Sequence, residues 1–349
     1  MNFGMIIIWL AFLFGLLAMV YSYLGFRRED EKYRILSSRL EITCAVLVTV
    51  ASVMLMYYLY DVAAFFEYVY THSSLDLSTY YRLSAFWAGQ EGSLLLWAWA
   101  ISVMLLVLRY ASRFSTGNVF TVTRILSLGI LSVFLMLLVL DNPFAVYYSK
   151  AGSIMVSNWN PFIHPYHLTD GQGMNPLLRN PWMAIHPPIL FLGYAAFTIP
   201  FTSAIAGLLL NDSSWRKIAN NWMRISWLFL TAGIGLGGFW AYEVLGWGAW
   251  YWSWDPVETS SLIPWITATA YLHTIYGRQG QFRFLAPAMA IFSFILVIFA
   301  TFVTRSGMWA SVHSWQDFNA ESLLIGIFLA GVTLAGTSLL AKRYFEEQD

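Results

Sequence analysis

Nine stretches of this chain are apolar, almost uncharged, and close to the roughly 20 residues a helix needs to cross the hydrocarbon core of a bilayer. They run approximately Phe3–Phe26, Ile42–Tyr60, Ser93–Leu108, Val122–Leu140, Pro187–Leu210, Trp222–Tyr242, Pro256–Tyr276, Leu285–Val303 and Ser322–Ala341. In lipid the backbone must satisfy its own hydrogen bonds, so each stretch is expected to be a helix. The length of 349 residues would by itself suggest two soluble domains, but 58% of the residues are hydrophobic and only 11% charged, against about 25% charged in a soluble chain. The expectation is therefore an all-α fold, a polytopic membrane helix bundle of about nine transmembrane helices forming a single membrane domain over residues 1–349.

Orientation follows from the basic residues. Phe3–Phe26 has no basic leader and is followed by Arg27, Arg28, Lys32 and Arg34, so it reads as a retained anchor with its N-terminus outside, not as a cleaved signal peptide. On that arrangement fifteen Lys and Arg fall in inner segments, and four, Arg82, Lys150, Arg179 and Arg305, in outer ones. This is a strong positive-inside bias, and a wrong number of spans would scramble it. The irregular segments then lie outside: about Asp61–Gly92, an outer loop over 141–186, a tryptophan-rich segment over 243–255, and about Thr304–Glu321. The chain is expected to act at its outer face.

Net charge is zero, which leaves no electrostatic argument for nucleic acid as a partner. The lone cysteine, Cys44, excludes an internal disulfide and a covalent haem-attachment pair within the chain. Chemistry must then rest on the six histidines and the aromatic residues. His72, His164 and His167 sit in polar outer loops and read as solvated or hydrogen-bonded. His186 precedes Pro187-Pro188, which predicts extended backbone at His186 and a helix starting at the prolines. His313 follows the eighth span on the same side. Two readings of this pair stand: axial ligands of a haem iron, or two outer-loop histidines at one depth by chance. His273 lies inside the seventh span, about 25 Å from its start by helical rise. It reads either as a functional group or as a histidine hydrogen-bonded near the inner interface.

Trp240, Trp247, Trp250, Trp252 and Trp254 fall within fifteen residues. An interfacial aromatic belt explains them. So does a flat apolar platform for a large planar ligand, since Trp250, Trp252 and Trp254 alternate and would share one side of an extended stretch. Asp255-Pro256-Val257-Glu258 carries the signature of a helix start, with Asp255 as N-cap, which assigns both carboxylates to shaping that helix. A porphyrin would bring propionates, and Arg305 is the best placed of the four outer cations to meet them; a solvated charge is the competing reading. Gly233 and Gly237 are expected to permit close helix packing.

Taken together, Trp247–Glu258 resembles the tryptophan-rich WWD signature of the haem-handling protein family, in the version of CcmF-type cytochrome c haem lyase subunits. Trp87-Ala88-Gly89-Gln90-Glu91-Gly92-Ser93-Leu94-Leu95-Leu96-Trp97 is similar to that family's W-G-G-x-E-G-S-L-L-L-W stretch. Asn175-Pro176-Leu177-Leu178 with His186-Pro187-Pro188, and Thr304-Arg305-Ser306-Gly307 with Ser311-Val312-His313, resemble two further motifs, so the similarity covers roughly residues 80–320 in order. It implies that His186 and His313 ligate haem b presented on the platform of Trp247, Trp250, Trp252 and Trp254, and that His273 ligates a resident b-type haem. It also implies a site on the outer, periplasmic side of the cell's inner membrane. The implied partners are a haem chaperone donor, apocytochrome c with its thiol-reducing partner, membrane lipid, and a second subunit. That subunit would supply the second membrane histidine, because family members are usually much longer and this chain has no other histidine in a span. Arg179 stands where the family often has glutamine. No residue reads as a covalent catalyst, so whether the chain or its complex makes the thioether bond is open. The alternative from another class, a haem or small-molecule membrane transporter, predicts interrupted helices and polar residues at mid-membrane. A quinone-linked b-type cytochrome needs paired membrane histidines, which one His273 does not supply.

Overall fold

The computed structural model describes residues 1–111, 117–244, 252, 254–276, 282–311 and 318–346. Its long helices are α1 (Phe3–Arg28) and α2 (Glu31–Asp61), two short helices α3 (Glu67–His72) and α4 (Thr79–Ser84), then α5 (Gln90–Ala111) and α6 (Asn118–Leu140). A hairpin of β1 (Val146–Lys150) and β2 (Ser153–Ser157) follows, then α7 (Pro181–Ala196), α8 (Thr198–Leu210), α9 (Trp215–Val244), α10 (Pro256–Thr274), α11 (Leu285–Arg305) and α12 (Ala320–Glu346). Among the described residues, eight helical segments are long and apolar enough to cross a membrane, with α7 and α8 counted as one. The chain is a multi-pass membrane protein.

The remaining expected span, the seventh in order, is present as α10, a helix of 19 residues that does not reach that apolarity. Its hydroxyls are spent inside the bundle. Ser261 accepts from Tyr194, Thr267 meets Ser293 at 3.0 Å, and Thr269 accepts from the Trp227 indole at 2.8 Å. Hydroxyls that face neighbouring helices rather than lipid can be carried where they find such partners.

The N-terminal half of the bundle packs α1 on α2 and α6, with Gly15 bringing α1 against Cys44 and Leu135. The C-terminal half pairs α7 with α9 and α10 with α11. The break between α7 and α8 has a local cause. Pro200 has no N–H to give the Ala196 carbonyl, and the helix resets at Phe197. Near the break Ser127 and Thr202 lie 2.8 Å apart, while the buried Thr198 hydroxyl has no partner among the described residues.

One end of the bundle carries the long connections, and the other gathers basic side chains. At the basic end Arg109 donates to the Ser38 carbonyl, Arg216 to Phe282 and Arg343 to Leu208, each closing a helix terminus onto a neighbour. The buried Glu41 side chain pairs with Arg124 and, at 3.6 Å, with Arg109. At the loop end Asn2 donates from its side chain to Phe144 and from its backbone to Pro161, fastening the 141–180 connection to the start of α1. Within it β1 and β2 pair antiparallel, Val146 opposite Ser157, around Ala151 and Gly152 at φ 50° and 83°, the positive angles of a tight hairpin turn. Two of the four cations on this side are structural staples. Arg82 donates to the carbonyls of Tyr60, Leu75 and Leu77, and Arg179 to that of Met174.

Glu41 sets a stability test. Glu41→Ala leaves two guanidinium groups facing a dry helix interface, and the expected cost is about 3 kcal/mol, at the lower end for a broken buried pair because Arg109 is partly exposed. Thermal melts in detergent check it; a melting temperature within a degree of the unmodified chain would contradict the role given to this triad.

Candidate functional site

At the loop end, α5, α7, α10 and α11 enclose a cavity of about 380 Å³, within the usual range of small-molecule sites. Its walls are mostly aromatic and aliphatic, including Trp87, Trp97, Leu190, Phe191, Tyr194 and Trp240, with His72, Ser93, His186 and Arg305 as the principal polar groups.

His186 is placed by α7, and not as its proline neighbours suggest. The helix begins at Pro181 under an Asn180 cap whose side chain accepts from the Trp182 N–H at 2.8 Å. His186 is therefore helical, in the second turn, and the loop expected over 141–186 ends at Asn180. Pro187 and Pro188 sit inside the helix, where each removes a backbone donor. The Met183 carbonyl, which residue 187 would otherwise bond, accepts from the Trp87 indole at 3.3 Å instead. An early tryptophan thus repairs the bond that a later proline breaks, and both line the cavity.

The imidazole of His186 is oriented by α9. Its Nδ1 lies 2.9 Å from the Gly233 carbonyl, which can only accept, so Nδ1 carries a proton, and in the neutral ring the lone pair is on Nε2. That is the tautomer of a metal-ligating histidine whose second nitrogen is held by a backbone carbonyl. The approach depends on glycine. A Cβ on Gly237 would stand 2.8 Å from His186 Cε1, and one on Gly233 would stand 2.8 Å from Leu190 Cα. The pair expected to allow close packing does so, and it frames the histidine as well.

Trp252 shares with His186, Gly237, Glu258 and Ser261 the wall of a smaller cavity of about 80 Å³, and also lines an open groove of about 680 Å³ with Trp254, Leu262 and Trp265. Trp254 is 71% exposed, and at φ 62° it turns the chain, so its ring meets Trp252 edge to face, 6.5 Å between centroids and 85° between planes. The shared flat face that strand alternation predicted for these two rings is absent, because the backbone is left-handed at Trp254. Asp255 caps α10 as expected, accepting from the Val257 N–H, and its carboxylate also accepts from Ser311 at 2.7 Å. Trp247, Trp250 and His313 lie outside the described residues.

Arg305 departs from its expected setting. It is 2% exposed, not solvated, and its Nη1 donates to the Gln90 carbonyl and to Glu321 while its Nη2 donates to Ser93 at 2.6 Å. Gln90 also donates to Glu321 and, at 3.5 Å, to Asp141. His273 is on the other side of the argument: it sits at the basic end of α10 with its side chain exposed, away from the cavity.

His72, read from sequence as a loop histidine, lies in the cavity wall. Its ring stacks on Tyr68 at 4.4 Å and its Nδ1 donates to the Tyr68 carbonyl, and burial holds its pKa below the ordinary histidine value. It stays neutral, as a wall and not as a charge. Nothing in its sequence neighbourhood signals this; it is brought in by the fold of the 61–89 connection.

Two tests follow. Gly237→Ala forces a methyl into the His186 ring, at an expected overpacking cost of about 1–3 kcal/mol. The same substitution in a His186→Ala background should cost clearly less; equal costs in the two backgrounds would mean that Gly237 does not frame the ring. Asp141, just beyond the end of α6, is pushed up to about 9 by burial together with the neighbouring Glu91 and Glu321 carboxylates. A carboxyl raised in the folded state contributes stability that is complete below its unfolded value near 4 and is lost as pH rises through 9. Melting temperature should thus fall between pH 5 and pH 9, and Asp141→Asn should flatten that slope; an unchanged slope would exclude Asp141 as its source.

Comparison with known proteins places the chain in a family. A family model described as cytochrome C assembly protein matches residues 87–310. The cytochrome c-type biogenesis protein CcmF of Haemophilus influenzae is 37% identical over 297 residues, 83% of this chain and 43% of that protein. The CcmF of Escherichia coli is 35% identical over 282 residues, 78% of this chain and 40% of that protein. Among solved structures, cytochrome c haem lyase CcmF superposes with a TM-score of 0.75 at 26% identity, covering 97% of this chain and 51% of the other. The chain spans about half the length of the relatives it matches.

Proposed function

Since the chain belongs to the cytochrome C assembly protein family, we propose that it serves cytochrome c maturation by holding haem at the loop end of its helix bundle and presenting it to apocytochrome c. The observation that carries this reading is the His186 imidazole, fixed by the Gly233 carbonyl and lining an aromatic cavity with Nε2 as its lone-pair nitrogen.

His186 would supply one axial bond to the iron and His313 the other, with Trp252 and Trp254, and Trp247 and Trp250 beside them in sequence, giving apolar ring surface to the macrocycle. Haem b would bring the vinyl groups to which the cysteines of the apocytochrome add. The work of this chain is positional. Gly233 and Gly237 set the ring of the ligand histidine, the aromatic walls keep water from the macrocycle, and Asp255 stiffens the tryptophan segment by capping α10. The loop end would face the periplasm and the basic end the cytoplasm, by the bias of lysine and arginine. A haem chaperone would deliver the cargo, and a thiol-reducing protein would keep the apocytochrome ready.

His273 would hold a resident b-type haem. Its exposed ring at the edge of α10 suits a ligand shared with a second polypeptide, which would supply the opposite histidine. Arg305 would act on the propionates through its field, since its guanidinium is already engaged by Glu321, Gln90 and Ser93.

The test is the visible spectrum and pyridine haemochrome of the detergent-purified chain beside His186→Ala, His313→Ala and His273→Ala. Haem b should co-purify or be taken up, and should fall at least tenfold in the first two variants. Haem that survives both and is lost with His273→Ala would report the second site. A chain that neither carries nor takes up haem, alone or with its partner polypeptide, would overturn the reading.

A further inference from the structure

Trp97 lies two turns into α5, wholly buried, with its ring packed against Phe134 at 4.5 Å and against Phe191 and Tyr194 at 5.7 and 5.5 Å. It lines the main cavity, yet its indole N–H has no acceptor among the described residues. A buried N–H donor without a partner is costly, and folded proteins rarely keep one without a reason. Packing alone would be served as well by phenylalanine, which has no N–H to satisfy.

Position supplies the reason. Ser93 is one turn earlier on the same face of α5 and lines the same cavity, and its hydroxyl accepts from Arg305, a third residue of that wall. One side of the cavity therefore presents the Trp97 N–H beside a hydroxyl and a guanidinium that are bonded to each other, the Ser93 proton going to the Gln90 carbonyl at 2.9 Å, while Leu190 and Phe191 make another side apolar. A ligand matched to both sides is a flat apolar body with oxygen anions along one edge only. Resting on the haem reading above, we propose that the Trp97–Ser93–Arg305 wall receives the carboxylate edge of haem, with the Trp97 N–H as a direct donor to a propionate. The two propionates of haem b lie opposite its vinyl-bearing edge. Anchoring the first inside the cavity turns the second toward the mouth, where an extended polypeptide can reach it. Arg305 keeps its bonds to Glu321, Gln90 and Ser93 in this arrangement, so it positions the Ser93 side of the wall and makes no new bond.

The experiment compares three ligands, haemin, haemin dimethyl ester and mesohaemin, titrated into the purified chain and into Trp97→Phe, with the Soret band as readout. Esterification blocks the anionic edge, and mesohaemin replaces both vinyls by ethyls. For the unmodified chain the ester should bind about tenfold more weakly than haemin, and mesohaemin should match haemin within about twofold. Trp97→Phe should weaken haemin toward the ester and leave the ester where it was. Equal binding of acid and ester by a chain that does bind haemin overturns the orientation while leaving the haem reading intact. So does a persistent acid preference in Trp97→Phe. Failure of all three ligands overturns both. If Trp97→Phe loses its melting transition, the three-ligand comparison on the unmodified chain decides alone.

Discussion

A guanidinium buried at 2% exposure has to be surrounded by acceptors, and at the loop end of this bundle that requirement organises everything near it. Arg305 ends α11, and the acceptors it finds belong to the first turns of α5 and α12: the Gln90 carbonyl, the Ser93 hydroxyl and the Glu321 carboxylate. The Ser322 hydroxyl returns a bond to the Arg305 carbonyl, and Gln90 extends the network to Asp141 at the end of α6. Four helix termini that would otherwise meet only through apolar side chains are thereby held in one register. Two of them, the end of α11 and the start of α5, also bound the cavity. α12 depends on this most, because only 17% of its most apolar window is buried in the bundle, so its polar anchor carries specificity that its packing does not.

The second constraint is the close approach of α7 and α9. Gly193 faces the Leu230 backbone, Gly233 faces Leu190 and Gly237 faces His186, so glycines on both helices alternate across one seam. That closeness brings a backbone carbonyl of α9, itself bonded within its own helix, within reach of an imidazole on α7. A carbonyl has two lone pairs, and the second one orients the histidine at no cost to the helix. The prolines at 187 and 188 belong to the same logic. They remove two donors from α7 beside the cavity, and the tryptophan that repairs one of the gaps becomes part of the cavity wall.

Much of this was legible beforehand. All nine spans coincide with helices, because apolarity over the width of a bilayer leaves the backbone no other solution. The N-cap at Asp255 and the glycine contacts were equally readable, since caps and close approaches are local rules. What failed was of another kind. The start of α7 was misplaced from Asn180 to the prolines, because a proline pair is as compatible with the second turn of a helix as with its first when an outside donor covers the loss. Arg305 is readable as an outer cation, for a propionate or for solvent, but its burial depends on Glu321 and Ser93, residues 16 and 212 positions away. His72 looked like a loop residue for the same reason. Burial of a polar side chain is decided by distant partners, and sequence spacing does not reveal them.

The histidines divide along the same line. His186 is fixed from within: its ring is bounded by glycine, bonded to a carbonyl, and walled by aromatics contributed by three other helices. His273 is exposed, at the end of a helix whose Ser261, Thr267 and Thr269 turn inward to find partners. A ligand histidine gains its directionality from what packs around it, and a ring open on one face has half of that support. On the proposed reading, a haem at His273 would meet this ring with one face still to be completed. The cavity around His186 needs no such completion for its walls, whereas a haem at His273 would have its second wall elsewhere. On that reading a second polypeptide would change the timing of delivery and release at His186, and at His273 the existence of the proposed site.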